Sequence, residues 1–211
     1  MFTGTLPENA QKSLAILGAS NPLPPKTYLA GGSGLALYLG HRISVDFDFF
    51  TSESFDQESL AKDLSKVGKF SVTSISPDTL LGIFNDTKFS IFRYQYPLVF
   101  ETSECLGIKV ANIKDIGAMK IAAIMGRGTK KDYIDLYFLS KEGTSLDDCL
   151  KYYDEKYGAL ASNIYSIVTS LTYFNEAEGT EMPKMIKDIS WENVKKFFQN
   201  ESVRLAKKLL K

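Results

Sequence analysis

Between residues 43 and 50 the chain reads ISVDFDFF, with apolar and polar positions alternating at period two, the pattern of a strand with two unlike faces. From about residue 56 the period becomes helical, and "FDQESLAKDLSKVG" sets Leu60 and Leu64 on one face. The segments "KFSVTSI", "TLLGIF", "KFSIFRY" and "IKVANI" read as strands, the middle pair joined by Asn85-Asp86 as a hairpin turn. Upstream, the prolines of "NPLPPK" (21–26) end a first helix and lead into a short strand, "TYLAG". Gly31, Gly32 and Ser33 then predict a turn, with Ser33 as the N-cap of a short apolar helix, "GLALYL", that Gly40 stops. After Lys114 the pattern is helical throughout: "KDIGAMKIAAIMGR", "KKDYIDLYFLSK", "SLDDCLKYYDEKY", "ALASNIYSIVTSLTYF" and "SWENVKKFFQN". The acidic, proline-containing "NEAEGTEMP" predicts an exposed loop. The expected fold class is α+β, a mixed sheet flanked by helices over 1–114 followed by a helical region over 115–211.

Composition narrows the chemistry. At 211 residues and 44% hydrophobic content the chain is long enough to bury a core. Basic and acidic residues balance at 25 each, so any polyanion must be bound locally and not by a global field. No stretch of about 18 apolar residues occurs and the N-terminus has no signal-peptide pattern, which predicts a cytoplasmic protein without a membrane partner. Two distant cysteines, Cys105 and Cys149, and one histidine, His41, are too few soft ligands for zinc. Oxygen ligands, and hence magnesium or manganese, are the expectation for any metal.

Oxygen ligands are offered by the alternating strand itself. Asp46 and Asp48 stand at i and i+2, so they project to one side about 7 Å apart at Cα, with Val45, Phe47 and Phe49 expected on the other. Two such carboxylates repel unless a divalent cation lies between them, the arrangement that holds a metal against a triphosphate. An exposed edge strand with two solvated aspartates is the alternative. The glycine turn supplies a complement, because N–H groups and the positive dipole end at a helix start suit phosphate. Ordinary turns share that sequence.

Together, "LAGGSGLALYLGHRISVDFDFF" and "MKIAAIMGRGTKKDYIDLYFL" resemble the nucleotidyltransferase AbiEii/AbiGii toxin family, a branch of the DNA polymerase β-like nucleotidyltransferases. The likeness continues through "FRYQYPLVF", "LTYFNEAEG" and "WENVKKFF". It implies a polymerase β-like core whose active site the C-terminal region completes, and transfer of a nucleoside monophosphate from an NTP with Mg²⁺ (or Mn²⁺). For toxins of the family it also implies a cognate antitoxin. By resemblance, Gly31, Gly32 and Ser33 belong to the phosphate-binding GG(S/T) element, with Arg42 in contact with phosphate. Asp46 and Asp48 match the metal pair, Lys120 the lysine of the K-x-x-A helix, and Asp132 and Asp135 the closing D-x-x-D-L element. Lys120, Ala123 and Arg127 fall on one helical face, so both cations suit the same triphosphate. As isolated helix cations they equally suit a solvated face. Asp132 also reads as a helix-start carboxylate, and Asp135, amid apolar neighbours, as a partner of Lys120 or Arg127.

One departure bears on catalysis. The polymerase β-like plan has a third carboxylate on a neighbouring strand, and the matching position in "KFSIFRY" is Ser90. Asp135, Asp132 or Glu101 then takes over the task, or the chain binds nucleotide without efficient transfer. Four readings follow: nucleotidyl transfer to an acceptor hydroxyl on RNA (tRNA) or protein, a binding module of the same fold, a D-x-D glycosyltransferase, and a kinase-like γ-phosphoryl transfer. His41 reads as a helix-end residue, and the C-terminal aromatics as core.

Overall fold

Seven strands build one mixed sheet in the first of two units, Met1–Asn112 and Ile113–Lys211, in the computed structural model, which describes residues 1–209. The strands are β1 (Tyr28–Leu29), β2 (Asp46–Thr51), β3 (Phe70–Ser76), β4 (Thr79–Phe84), β5 (Thr87–Arg93), β6 (Ser103–Cys105) and β7 (Ile108–Val110). Their order across the sheet is β3-β4-β5-β2-β1-β7-β6. Strand β2 runs parallel to β5 and antiparallel to β1, so it is central, and the edge-strand alternative for the aspartates falls away.

Turn chemistry fixes much of this order. Asn85 and Asp86 both adopt left-handed backbone, at φ 44° and 61°, the conformation a two-residue hairpin between right-twisted strands requires. They join β4 to β5 as the sequence predicts. A second tight hairpin, at Leu106 and Gly107, pairs β6 with β7 and has no counterpart in the sequence reading. Strand β6 is three residues long and mostly exposed, so no alternation marks it.

Three helices accompany the sheet: α1 (Glu8–Ser20), α2 (Gly31–Leu39) and α3 (Gln57–Val67). The period of α3 buries Leu60 and Leu64 as expected, and Asp56 caps it by accepting the Ser59 N–H at 2.8 Å. Leu14 and Leu17 of α1 join them against Phe47, Phe49, Phe89 and Ile91, the apolar face of the sheet. Val45 does not share that face, contrary to the alternation. It is 48% exposed, because pairing with β5 starts one residue later, at Asp46 opposite Lys88.

The second unit is helical among its described residues: α4 (Ile113–Gly126), α5 (Lys130–Lys141), α6 (Leu146–Tyr157), α7 (Leu160–Ser170), α8 (Asn175–Glu178) and α9 (Trp191–Leu209). Ser145 and Asp148 cap the start of α6 reciprocally. Tyr133 of α5 forms the centre of an aromatic cluster with Phe174, Trp191 and Phe198, its ring centroids 5.1–5.9 Å from theirs. Its hydroxyl hydrogen-bonds the carbonyls of Ser170 and Tyr173. The expected "NEAEGTEMP" loop starts as the short α8, because Ala177 is buried and holds that turn on the unit.

Candidate active site

The sheet unit presents the glycine turn and the two aspartates together. Helix α2 begins at Gly31, with Ala30 as its N-cap, so Ser33 lies inside the first turn and is not the cap the sequence suggests. The earlier start is possible because Gly31 takes φ 60°, a left-handed value that lets the chain turn from β1 straight into the helix. Ser33 is buried, and its hydroxyl hydrogen-bonds Ser44 Oγ at 2.9 Å and the Asp46 carbonyl oxygen. It fastens α2 to the start of β2.

Close packing surrounds both glycines. A Cβ at Gly31 would stand 2.6 Å from Asp48 Oδ2, and one at Gly32 would collide with the Arg42 guanidinium. Arg42 is buried against this turn, and its Nη1 donates to the Ile43 carbonyl at 3.2 Å. His41, after the left-handed Gly40 that ends α2, is fully buried, which fits a helix-end residue.

Asp46 and Asp48 are both half-buried on the face of β2 opposite Phe47 and Phe49, as the i, i+2 spacing predicts. Asp46 Oδ1 is buried and accepts no hydrogen bond. A carboxylate oxygen left so is costly unless a cation or donor meets it. Among the described residues the pair is not part of a larger His, Cys, Asp or Glu cluster suited to metal. Two adjacent carboxylates with one orphaned oxygen, beside a helix start, still fit a hard divalent cation that takes its remaining ligands from phosphate and water. Opposite Asp48 on β5 stands Ser90, and opposite Asp46 stands Lys88, so the neighbouring strand carries no acid in register with either.

The helical unit gathers the other four predicted residues. Lys120 on α4 is buried between Asp132 and Asp135 of α5, its Nζ 2.9 Å and 2.6 Å from their carboxylates. Arg127 reaches Asp132 through Nε at 3.0 Å and Nη2 at 3.1 Å, a two-point contact, while its side chain stays 65% exposed. Asp132 also accepts from the Thr129 hydroxyl at 2.7 Å and from the Thr129 N–H at 3.3 Å, closing a capping box at the start of α5. Burial pushes the Asp132 carboxyl up, but the Lys120 charge and the Arg127 hydrogen bond and charge outweigh it and hold it well below the usual carboxylate range. Asp132, fully buried at the helix start where the sequence sets a carboxylate, has the geometry of a clamp on both cations. Asp135 pairs with Lys120, the partner its apolar surroundings suggest.

Sequence reasoning missed a second buried ion pair in this unit. Lys156 Nζ of α6 lies 2.9 Å from Asp115 Oδ1 of α4, and both side chains are fully buried. The sequence offers no signal for it, since neither residue stands out from surface charges on its helix.

Comparison with known proteins shows the family and the fold. The family described as nucleotidyl transferase AbiEii toxin, Type IV TA system, matches residues 15–106 and 90–208. A protein of Aquifex aeolicus (strain VF5), described as uncharacterized protein aq_aa25, is 41% identical over 181 residues, 82% of this chain and 85% of that protein. Among solved structures, JHP933 from Helicobacter pylori is 19% identical with a TM-score of 0.57, over 97% of this chain and 94% of that one. MenT4, the nucleotidyltransferase toxin Rv2826c from Mycobacterium tuberculosis H37Rv, is 15% identical with a TM-score of 0.58, over 94% of this chain and 86% of that one. These two share the fold. The chain therefore belongs to the nucleotidyl transferase AbiEii toxin family, and so to the nucleotidyltransferases.

Proposed function

We propose that this protein moves a nucleoside monophosphate from an NTP to an acceptor hydroxyl on RNA, such as tRNA, or on a protein, as the toxin of a toxin–antitoxin pair. The observation that carries the reading is the pair Asp46 and Asp48 on the central strand, packed against the Gly31 turn, with Asp46 Oδ1 left without a hydrogen bond. Bound there, Mg²⁺ or Mn²⁺ supplies Lewis-acid stabilisation of phosphate charge. The first-turn N–H groups of α2 receive the phosphate oxygens, joined by Arg42, whose guanidinium lies against Gly32. Arg127, oriented by Asp132 and exposed, meets the charge that develops on the leaving pyrophosphate, and Lys120 supports it from within the helical region. In the step itself the acceptor oxygen bonds to the α-phosphorus, the bond to the β-phosphate oxygen breaks, pyrophosphate leaves and the hydroxyl proton is released to solvent. In this reading a cognate antitoxin restrains the toxin in the cytoplasm.

The test is to offer the protein NTPs labelled at the α- or the γ-phosphate together with cell RNA and protein. Transfer of α-label alone supports the proposal; γ-label in the product shows a kinase-like reaction instead. A second reading, a nucleotide-binding module without transfer, is favoured by Ser90 opposite Asp48 in place of an acid. Metal-dependent NTP binding with neither label transferred supports that one.

A further inference from the structure

The sheet face that carries Asp46 and Asp48 changes character along its length. On β2 the next residue on that face is Phe50, and on β5 Lys88 and Ser90 are followed by Phe92 and, just past the strand, Tyr94. Tyr28 of β1 pairs with Phe50 across the strands. The rings form one chain: Tyr28 to Phe50 at 5.9 Å, Phe50 to Phe92 at 5.5 Å, Phe50 to Tyr94 at 5.4 Å and Tyr94 to Tyr96 at 5.4 Å.

At this aromatic end lies a cleft of about 460 Å³ lined by Lys26, Tyr28, Tyr94, Tyr96, Phe100 and Lys109. Its volume lies in the range of small-ligand sites. Tyr96 is 46% exposed, and Lys109 is exposed and joins no ion pair among the described residues. Lys26 shares its charge with Glu53, 2.7 Å away. Ser52 also lines the cleft, four residues beyond Asp48, which is about 13 Å along an extended strand. The Gly31 turn stands at the other end of β1, so the cleft is separate from the expected seat of the triphosphate.

Aromatic rings beside lysines are the chemistry that holds unpaired nucleotides: every base has a face to stack, and every linkage carries a negative charge. A duplex hides its bases and offers only the charge. We infer that the cleft binds unpaired bases of a single-stranded polynucleotide, with Tyr96 stacking on a base and Lys109 facing a phosphate, and that this strand is the acceptor. The acceptor role rests on the transfer reading above. The binding itself is measured without it.

The experiment titrates the whole protein into a fluorescein-labelled single-stranded oligoribonucleotide, followed by anisotropy at several salt concentrations. Wild type binds the single strand more tightly than a duplex of the same sequence. Tyr96→Ala weakens binding about 5- to 150-fold, the loss expected for one stacked base, and Tyr96→Trp restores it. Lys109→Ala weakens binding and lowers the salt slope by about one unit. Because both positions are exposed, unchanged circular dichroism confirms that the variants fold. The inference is overturned if wild type does not bind, if duplex binds as well, or if Tyr96→Ala binds like wild type. It is also overturned if Tyr96→Ala loses affinity for free NTP and not for the strand. Strand binding that follows the predicted pattern in a protein that transfers no nucleotide leaves the cleft standing and removes the transfer reading. Transfer with strand binding indifferent to Tyr96 and Lys109 does the reverse.

Discussion

Gly31 joins two demands at one atom. Its φ of 60° is a conformation that side chains adopt at a cost of about 1–2 kcal/mol, and its missing Cβ leaves room for the Asp48 carboxylate 2.6 Å away. Gly31→Ala is therefore expected to lose that much stability in urea unfolding and to push Asp48 from its place. A displacement of about 1 Å at a reacting group lowers turnover about 100-fold, so activity drops by that factor in a variant that stays folded. Unchanged turnover in the folded variant would show that the close approach has no functional meaning. Asp132 invites a different test. Its carboxyl is held below the ordinary value in the folded chain, so the stability it contributes is complete above the unfolded value of about 3.9. That contribution is lost as pH falls through the lower folded value. In Asp132→Asn this acid-side loss should be diminished, and the urea midpoints of the two proteins should converge as pH drops below about 4. A constant gap between them would deny the linkage.

Helix α1 depends on a backbone contact with the β6–β7 hairpin. A Cβ at Gly18 would collide with the Leu106 carbonyl, and Gly107, left-handed at φ 78°, packs against the same spot. Backbone atoms on both sides have little freedom to yield. Gly18→Ala is expected to cost about 1–3 kcal/mol in denaturant unfolding, the range for overpacking. A neutral result would mean that α1 slides without penalty. The same region shows what the sequence conceals. Strand β2, helix α3 and the Asn85-Asp86 turn were legible because period and turn residues act locally, within a few positions. Strand β6 was not, because three residues, two of them exposed, carry no period, and α9 runs nine residues past the stretch read as helical. Within the site, the aspartate pair and the Asp135–Lys120 partnership could be read from i, i+2 spacing and from an acid set among apolar residues. The N-terminus of α2 and the clamp role of Asp132 could not, since both depend on partners brought in by tertiary packing.

Each unit carries its own tests of folding. In the helical unit the buried pair Lys156–Asp115 has neither charge in water, so removing one partner strands the other. Asp115→Ala is expected to destabilise by about 3–5 kcal/mol in a denaturant titration. A loss under about 1 kcal/mol would mean that Lys156 finds water. Nearby, burial and then the Asp148 charge push the Cys149 thiol up to about 12, so at pH 8 it stays protonated and unreactive toward alkylating reagents until the unit unfolds. Family membership makes the chain a nucleotidyltransferase, and the account assigns the transfer to the carboxylate pair on β2. The decisive measurement is incorporation of α-phosphate label from each NTP, with Mg²⁺, into the RNA and protein of a cell extract, comparing wild type with Asp46→Ala. The account predicts label in a macromolecule from wild type and its loss, by at least about 100-fold, in the variant of unchanged fold. Label incorporated equally by both would contradict it, because the reaction would then not depend on the carboxylate pair on β2.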